Sequence, residues 1–416
     1  MYGINRSMGN DHDVIVVGAS LAGCATAKLL GEQGARVALI EKAPDPAHHK
    51  RVCGHFIQAS AVPTLERLGV LGAMREAGAV DSRSRLHTRF GVVESDRVPA
   101  SINLRREKLD PLLRAAAAGT PGVDLLAGET VTGLVPGGVE LRSGATLRAP
   151  LVIGADGRDS KVAALAGLEG KTIPNARFSY GAYYEGPPPA GAPDGTIWLL
   201  DPHWVAAFPT DDGLTLYAAM LTHEHLNTFK GDIAGALERF VASVPDAPPI
   251  LESTRVGDVL GKVQMPNRIR GPIGDGVALV GDAALATDPL WGVGCGWAVQ
   301  TGEWLAGALA PWVRGEQPLG RALRRYKRTY TLRLAPHMRM IHGYSSGRPF
   351  DAMEKRLYAT AATDPVLAER MGRIGVRIDS PLTVMRPSTA WRLARGPRRQ
   401  PDGYSSTTRT SPSLTA

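Results

Sequence analysis

Asp13-Val14-Ile15-Val16-Val17-Gly18-Ala19-Ser20-Leu21-Ala22-Gly23 is the stretch whose reading decides the fold. Val14 to Val17 is an unbroken apolar run stopped by glycine, the pattern of a strand buried on both faces of a parallel sheet. Leu21 to Leu30 reads as a helix, and Gly34 ends it. Arg36 to Glu41 reads as a second strand. Strand, tight turn, helix and strand make one βαβ unit. The turn fits the dinucleotide fingerprint GxGxxG, with Ser20 at the middle glycine. Gly18 permits the turn, and a small residue at 20 lets backbone amides, those of Leu21 and Ala22 included, approach a pyrophosphate. Gly23 lets helix and strand pack closely. The helix start supplies oriented N–H donors and a partial positive charge. Glu41, followed by Lys42, stands about 20 residues on, where an acid meets ribose hydroxyls. The alternative is a merely structural βαβ turn.

Further along, Arg106 to Ala118 is helical in pattern, and Leu151 to Gly154 is another buried strand. From about Arg177 to Val263 aromatic and β-branched residues alternate with polar ones. Trp204 to Phe208, a turn at Thr210-Asp211-Asp212-Gly213, and Leu214 to Met220 read as a hairpin. Gly276 to Val280 returns to an apolar strand, and helices are expected at 321–340 and 351–362. The expected fold class is α/β: a Rossmann-like binding domain, a β-sheet substrate domain and a helical C-terminal region. The expected boundaries are 13–174 with 264–315 for the discontinuous first domain, 175–263 for the second and 316–395 for the helices. Residues 1–12 and the Pro-, Ser-, Thr- and Arg-rich 396–416 are expected to be disordered.

Two further motifs stand in order after the first. Val152-Ile153-Gly154-Ala155-Asp156-Gly157-Arg158-Asp159-Ser160 is a strand and an Asp-Gly turn. Gly281-Asp282 follows the 276–280 strand, with Thr287-Asp288-Pro289, Gly292, Gly294, Cys295 and Gly296 beyond it. From about Asp13 to Val313 the chain resembles the FAD-dependent monooxygenases of the aromatic-hydroxylase type. It also resembles their relatives, the geranylgeranyl-reductase-like oxidoreductases and the flavin-dependent halogenases. The resemblance implies that Gly18, Ser20, Gly23 and Glu41 hold the ADP half of FAD. It implies that Asp156 and Gly157 contact FAD and a transient NAD(P)H. Arg106 would reach the flavin's phosphate or ribityl chain, and Asp282 the ribityl or ribose hydroxyls. Pro289, Gly292, Gly294 and Cys295 would pack against the ring, with the helix start directed at it. Each residue also has a structural alternative. Asp156-Gly157 is an ordinary turn dipeptide, Asp282 can cap a helix, and Arg106 can be a surface residue. Leu285 occupies a position where many aromatic hydroxylases carry histidine.

Arg51-Val52-Cys53-Gly54-His55 follows the second strand. Reductase-like relatives carry a Cys-Gly pair here. Arg51 is a candidate contact to flavin or nicotinamide, and His55 a candidate acid/base group; Cys53 can equally be a small core filler. Tyr184, Trp198, Trp204, Tyr217 and Trp291 are the candidate substrate-pocket aromatics, with core packing as the alternative.

Composition excludes several classes. Cys24, Cys53 and Cys295 are the three cysteines, in no CxxC pair, which argues against a disulfide framework and a zinc site; no metal is expected. No apolar run reaches the ~18 residues that span a bilayer, and Met1 to Asn10 lacks the apolar core of a signal peptide. A cytoplasmic location follows as an expectation. The net charge of +8 is read as scattered solvated arginines, without a nucleic-acid motif. The family resemblance implies monooxygenation of a small organic substrate, of natural-product or secondary-metabolic type, by O2 through a C4a-hydroperoxyflavin. The alternatives are reduction of a carbon–carbon double bond and a non-catalytic ligand-binding protein. A single fingerprint means that NAD(P)H binds transiently, or that a separate flavin reductase delivers the electrons.

Overall fold

The computed structural model describes residues 12–396. The two segments expected to be disordered lie outside the described residues, apart from His12 and Gly396. The main elements, in chain order, begin with β1 (Val14–Val17), α1 (Leu21–Glu32), β2 (Val37–Glu41), β3 (Ser84–Thr88), α2 (Arg106–Ala118), β4 (Val123–Ala127) and β5 (Leu151–Gly154). There follow β6 (Arg177–Glu185), β7 (Gly195–Leu199), β8 (Trp204–Pro209), β9 (Thr215–Thr222), α3 (Ile233–Ala242), β10 (Thr254–Lys262), β11 (Val277–Leu279), α4 (Gly294–Val313) and α5 (Leu319–Ser345). They fall into two compact units. The first comprises the chain up to Val80, Ile102–Asn175 and Met265–Ser345; the second comprises Asp81–Ser101, Ala176–Gln264 and the chain from Ser346 on.

The first unit is built on a sheet in the order β11-β5-β1-β2-β4, all parallel, with a short antiparallel strand at Ile273–Gly274 on its edge. All four residues of β1 and all five of β2 are buried. Each buried Val, Leu or Ile side chain contributes about 1.5–3 kcal/mol of hydrophobic stabilisation. Helix α1 packs against α4 at close range: a Cβ on Gly302 would lie 2.7 Å from the Thr26 hydroxyl. Helix α5 belongs here too. Its buried Tyr326 donates to the Leu279 carbonyl of β11 at 2.7 Å.

The second unit carries a seven-stranded sheet in the order β10-β6-β9-β8-β7-β3, ending in Gly91–Val93. Neighbours are antiparallel except β7 and β3, which run parallel. Its core cluster includes Phe178, Ala182, Tyr184, Trp198, Val205, Ala207, Tyr217, Ala219 and Leu221 from the sheet, with Ala236, Leu237 and Val241 from α3.

Two boundary expectations are corrected. Residues 81–101 leave the first domain, because β3 hydrogen-bonds beside β7. The helices of 316–395 do not form one region: α5 packs within the first unit, and those at Ala352–Ala361 and Pro365–Gly375 lie in the second. Amphipathic spacing marks a helix but not the surface it will cover.

Candidate cofactor site

The Gly18–Gly23 turn is fixed by space as well as by conformation. Gly18 has φ +104°, and a Cβ there would sit 2.6 Å from the Ala155 carbonyl oxygen; a Cβ on Gly23 would meet the Gly18 carbonyl oxygen at 1.8 Å. Helix α1 therefore rides directly on the strand-to-helix turn. Ser20 is its N-cap residue, yet the side chain makes no capping bond, so no side chain from the cap occupies the first-turn amides. Leu21 and Ala22 turn their side chains into the core, 2% and 7% exposed, and offer only backbone. Glu41 holds the turn from β2: its Oε2 accepts from the Ala19 amide at 2.9 Å and its Oε1 from the Ala43 amide at 3.0 Å. Lys42 and Arg51 are exposed.

Ser20 Oγ instead accepts from Arg106 Nη2 at 2.7 Å. Arg106 opens α2, is buried, and grips Asp110 one turn on through Nε (2.6 Å) and Nη2 (2.9 Å). Its Nη1 reaches Cys53 Sγ at 3.5 Å and Cys295 Sγ at 4.0 Å. The Lys50 amide donates to Asp110 Oδ2, and the Lys50 ammonium pairs with Asp282 Oδ2, each at 3.0 Å. Arg114, two turns after Arg106, donates to the carbonyls of Ala19 and His48. The glycine turn, the loop after β2, α2 and the segment from Asp282 to Cys295 thus converge on one guanidinium.

The electrostatics follow from that convergence. Burial opposes the Arg106 charge but is outweighed by Cys53, Cys295 and Asp110, which keep its pKa well above the ordinary value. The Cys295 thiol, 3.4 Å away, hydrogen-bonds Cys53 and, with Arg106 and Lys50, brings its pKa down against the effect of burial. The same hydrogen bond and burial push Cys295 up. Burial works against ionising Asp282, but Lys50 outweighs it and lowers the carboxyl.

Helix α4 begins at Gly294 without a side-chain cap. Gly294 is exposed with nothing within 4 Å of where a Cβ would stand. Gly292 has φ +59°, and a Cβ there would lie 2.8 Å from the Phe56 ring. The residues fit FAD: two helix starts have no side-chain cap, one at a phosphate-type turn and the other beside open glycine backbone.

Asp156 borders the glycine turn, its Cα 3.1 Å from where a Cβ on Gly18 would stand. The Asp156 carboxylate accepts from Ser160 Oγ (2.5 Å) and the Val162 amide (3.0 Å), anchoring the short helix Lys161–Leu165. It is an anchor of local structure, beside Gly157 at φ +84°. His55 is 0% exposed, with its amide on Cys53 Sγ. Pro289 is exposed in the short turn held by Asp288, and the Trp291 carbonyl accepts from Gln58.

Three of the five aromatics are core. Tyr184, Trp198 and Tyr217 face α3; Tyr184 donates to Glu238 (3.1 Å), Trp198 to the Pro245 carbonyl (2.9 Å), and the Tyr184 and Tyr217 rings meet edge-on at 5.4 Å. Strand alternation puts Trp204 on the opposite face, paired in register with Leu199 and Met220. Trp291 belongs to the first unit, tilted against Tyr344. Sequence reading missed Lys50, Asp110 and Arg114. The signal was present in the i, i+4, i+8 spacing of Arg106, Asp110 and Arg114, which puts them on one helix face.

Residues 11–189 match the family described as the FAD binding domain. The chain is 28% identical to the digeranylgeranylglycerophospholipid reductase of Methanothrix thermoacetophila, over 78% of this chain and 85% of the reductase. It is 28% identical to aklavinone 12-hydroxylase RdmE of Streptomyces purpurascens, over 90% and 78%. It is 27% identical to squalene epoxidase erg1 of Schizosaccharomyces pombe, where the match spans only 37% of the epoxidase. Its fold is similar to that of PqsL, a probable FAD-dependent monooxygenase from Pseudomonas aeruginosa, with a TM-score of 0.69 at 21% identity over 88% of this chain and all of PqsL. The glycine turn, Glu41 and Arg106 lie within the residues that match the FAD binding domain, and the chain as a whole is similar both to a hydroxylase and to a prenyl-lipid reductase.

Proposed function

We propose that the protein is an FAD-dependent monooxygenase that transfers one oxygen atom from O2 to a small apolar organic substrate of natural-product type. NAD(P)H, or a separate flavin reductase, would supply the electrons. The observation that carries the reading is the meeting of the uncapped α1 turn, Arg106 and the open start of α4 in one unit. Bound there, FAD supplies two-electron redox chemistry and activation of oxygen.

The chain's own residues then have defined tasks. The first-turn amides of α1 hold the pyrophosphate, and Glu41 keeps the turn shaped while accepting from a ribose hydroxyl. Arg106 and Lys50 would hold positive charge close to the start of α4, which suits a group that gains negative charge on reduction. Lys50 also keeps Asp282 ionised as an acceptor for hydroxyls. Trp204, Leu199, Leu216 and Met220 form one apolar face of the second unit's sheet, opposite the face that meets α3. Reduction of a carbon–carbon double bond is the second reading, favoured by the reductase relative that this chain matches over most of its length.

One experiment separates the two. FAD-loaded protein, reduced anaerobically, is mixed with 18O2 and a panel of polycyclic aromatic and polyprenyl compounds. Monooxygenation yields product carrying one 18O atom. A product that gains two hydrogens and no label assigns the protein to reduction. A folded, colourless preparation that takes up no FAD removes both readings.

A further inference from the structure

We propose that Cys53 and Cys295 are a hydroperoxide-reactive thiol pair, in which Cys53 attacks the peroxide and Cys295 resolves the product as an intrachain disulfide. The inference goes beyond the monooxygenase reading and does not depend on it.

Geometry carries the argument. The two sulfurs lie 3.4 Å apart although 242 residues separate them. A disulfide needs ~2.05 Å, so closure requires a movement of about 1.4 Å. Cys53 sits in a stretch between β2 and Phe56 that forms neither helix nor strand, and Gly54 after it has nothing within 4 Å of its Cβ position. That side can give, while Cys295 is held in the first turn of a 20-residue helix.

The surroundings of Cys53 suit a nucleophilic sulfur. Arg106 Nη1 and the His55 amide (3.3 Å) point donors at it, and the Cys295 sulfur lies 3.4 Å away. Such donors favour the thiolate, the form that attacks peroxides. Cys53 is half-buried and Cys295 buried, so a small oxidant meets Cys53 first. Cys24 is the internal control: it lies within α1, and burial pushes its thiol up to about 12.

The chemistry balances. Cys53 thiolate attacks a peroxide oxygen, the S–O bond forms as the O–O bond breaks, and the alcohol or water leaves after taking a proton. Cys295 then attacks the Cys53 sulfenic sulfur, and hydroxide leaves as water with the Cys295 proton. Two thiols lose two electrons in all, and the peroxide gains them. A small external dithiol restores the reduced pair by exchange.

The test uses the full-length protein as purified. Reduced, desalted protein is treated with one to two equivalents of hydrogen peroxide, then unfolded in guanidinium, blocked with N-ethylmaleimide and mapped by mass spectrometry. The expected result is a fall from three maleimide labels to one, a linked peptide pair containing Cys53 and Cys295, and reversal by dithiothreitol. Cys53 should lose its label about tenfold faster than Cys24. Cys295→Ser should stop at a sulfenic acid on Cys53 that dimedone traps, and Cys24→Ser should cross-link like the parent. Three persisting labels, a cross-link between chains, a sulfinic acid on Cys53 without a cross-link, or dimedone on Cys24 would each overturn the proposal. The parent protein's cross-link decides the matter even if Cys295→Ser fails to fold.

Discussion

Glu41 and Arg106 each hold the glycine turn by one bond, from opposite ends of the chemistry: a carboxylate takes the Ala19 amide and a guanidinium holds the Ser20 hydroxyl. A hydrogen bond to a charged group is worth about 1.5–3 kcal/mol. Glu41→Ala should therefore weaken FAD binding by roughly 10- to 100-fold, measured by quenching of flavin fluorescence. Arg106→Ala should be worse for the fold as well, since it strands a buried Asp110; losing one partner of a buried pair costs about 3–5 kcal/mol. In the second unit, His203 has an imidazole that burial and the neighbouring His225 ring, 4.4 Å away, lower to about 4. Its folded-state value lies below the unfolded one, so the folded state binds fewer protons. The stability this lends is complete above about pH 6.5 and is lost as pH falls towards 4. His203→Phe should flatten the pH dependence of thermal unfolding in that window; an unchanged slope would assign the acid sensitivity elsewhere. Among these residues Glu41 was legible because its distance from Gly18 is set by one helix and one strand. Lys50 was not, because its partner Asp282 is 232 residues away and spacing carries no information across such a gap.

At the scale of elements, the two glycine-marked helix starts make opposite predictions. Gly23→Ala drives a methyl group into the Gly18 carbonyl at 1.8 Å, so α1 must move off the sheet or fail to form. It should yield insoluble or flavin-free protein. Gly294→Ala meets nothing within 4 Å and should fold with an unfolding temperature close to the parent's. Any loss it shows should appear in flavin affinity or in the visible spectrum. The sheet of the second unit divides in the same way. Trp198→Ala opens a cavity under α3 and should cost about 3–5 kcal/mol in denaturant unfolding. Parallel strands β1, β2 and β5 could be read directly, since burial on both faces leaves an unbroken apolar run. The sheet's two faces could not be sorted from sequence: both sides are apolar at Trp198, Leu199, Trp204 and Val205, so alternation gives a period without saying which parity meets α3. β3 was missed for another reason. Ser84-Arg85-Leu86-His87-Thr88 is polar and only partly buried, and what makes it a strand is the distant neighbour β7.

Across the whole molecule, the chain crosses between its units after Val80, Ser101, Asn175, Gln264 and Ser345. Each unit is assembled from segments distant in sequence, and neither core closes until late-arriving pieces are in place. The first lacks β11, α4 and α5 until the chain has passed Gln264. The cofactor site shares this dependence, because Cys295 and Asp282 come from the last of these pieces while the glycine turn comes from the first. FAD should therefore act as a staple on the first unit, binding the assembled form and not the unfolded chain. At a free concentration 100 times its dissociation constant it contributes about 2.7 kcal/mol, which for a unit of this size raises the unfolding temperature by roughly 5–10 °C. The second unit supplies none of the residues assigned to the cofactor. Hydrogen exchange with and without FAD should therefore show added protection in β1, β2 and α4 and no change in the α3-covered sheet. Equal protection of both units by FAD would mean that they unfold as one cooperative body.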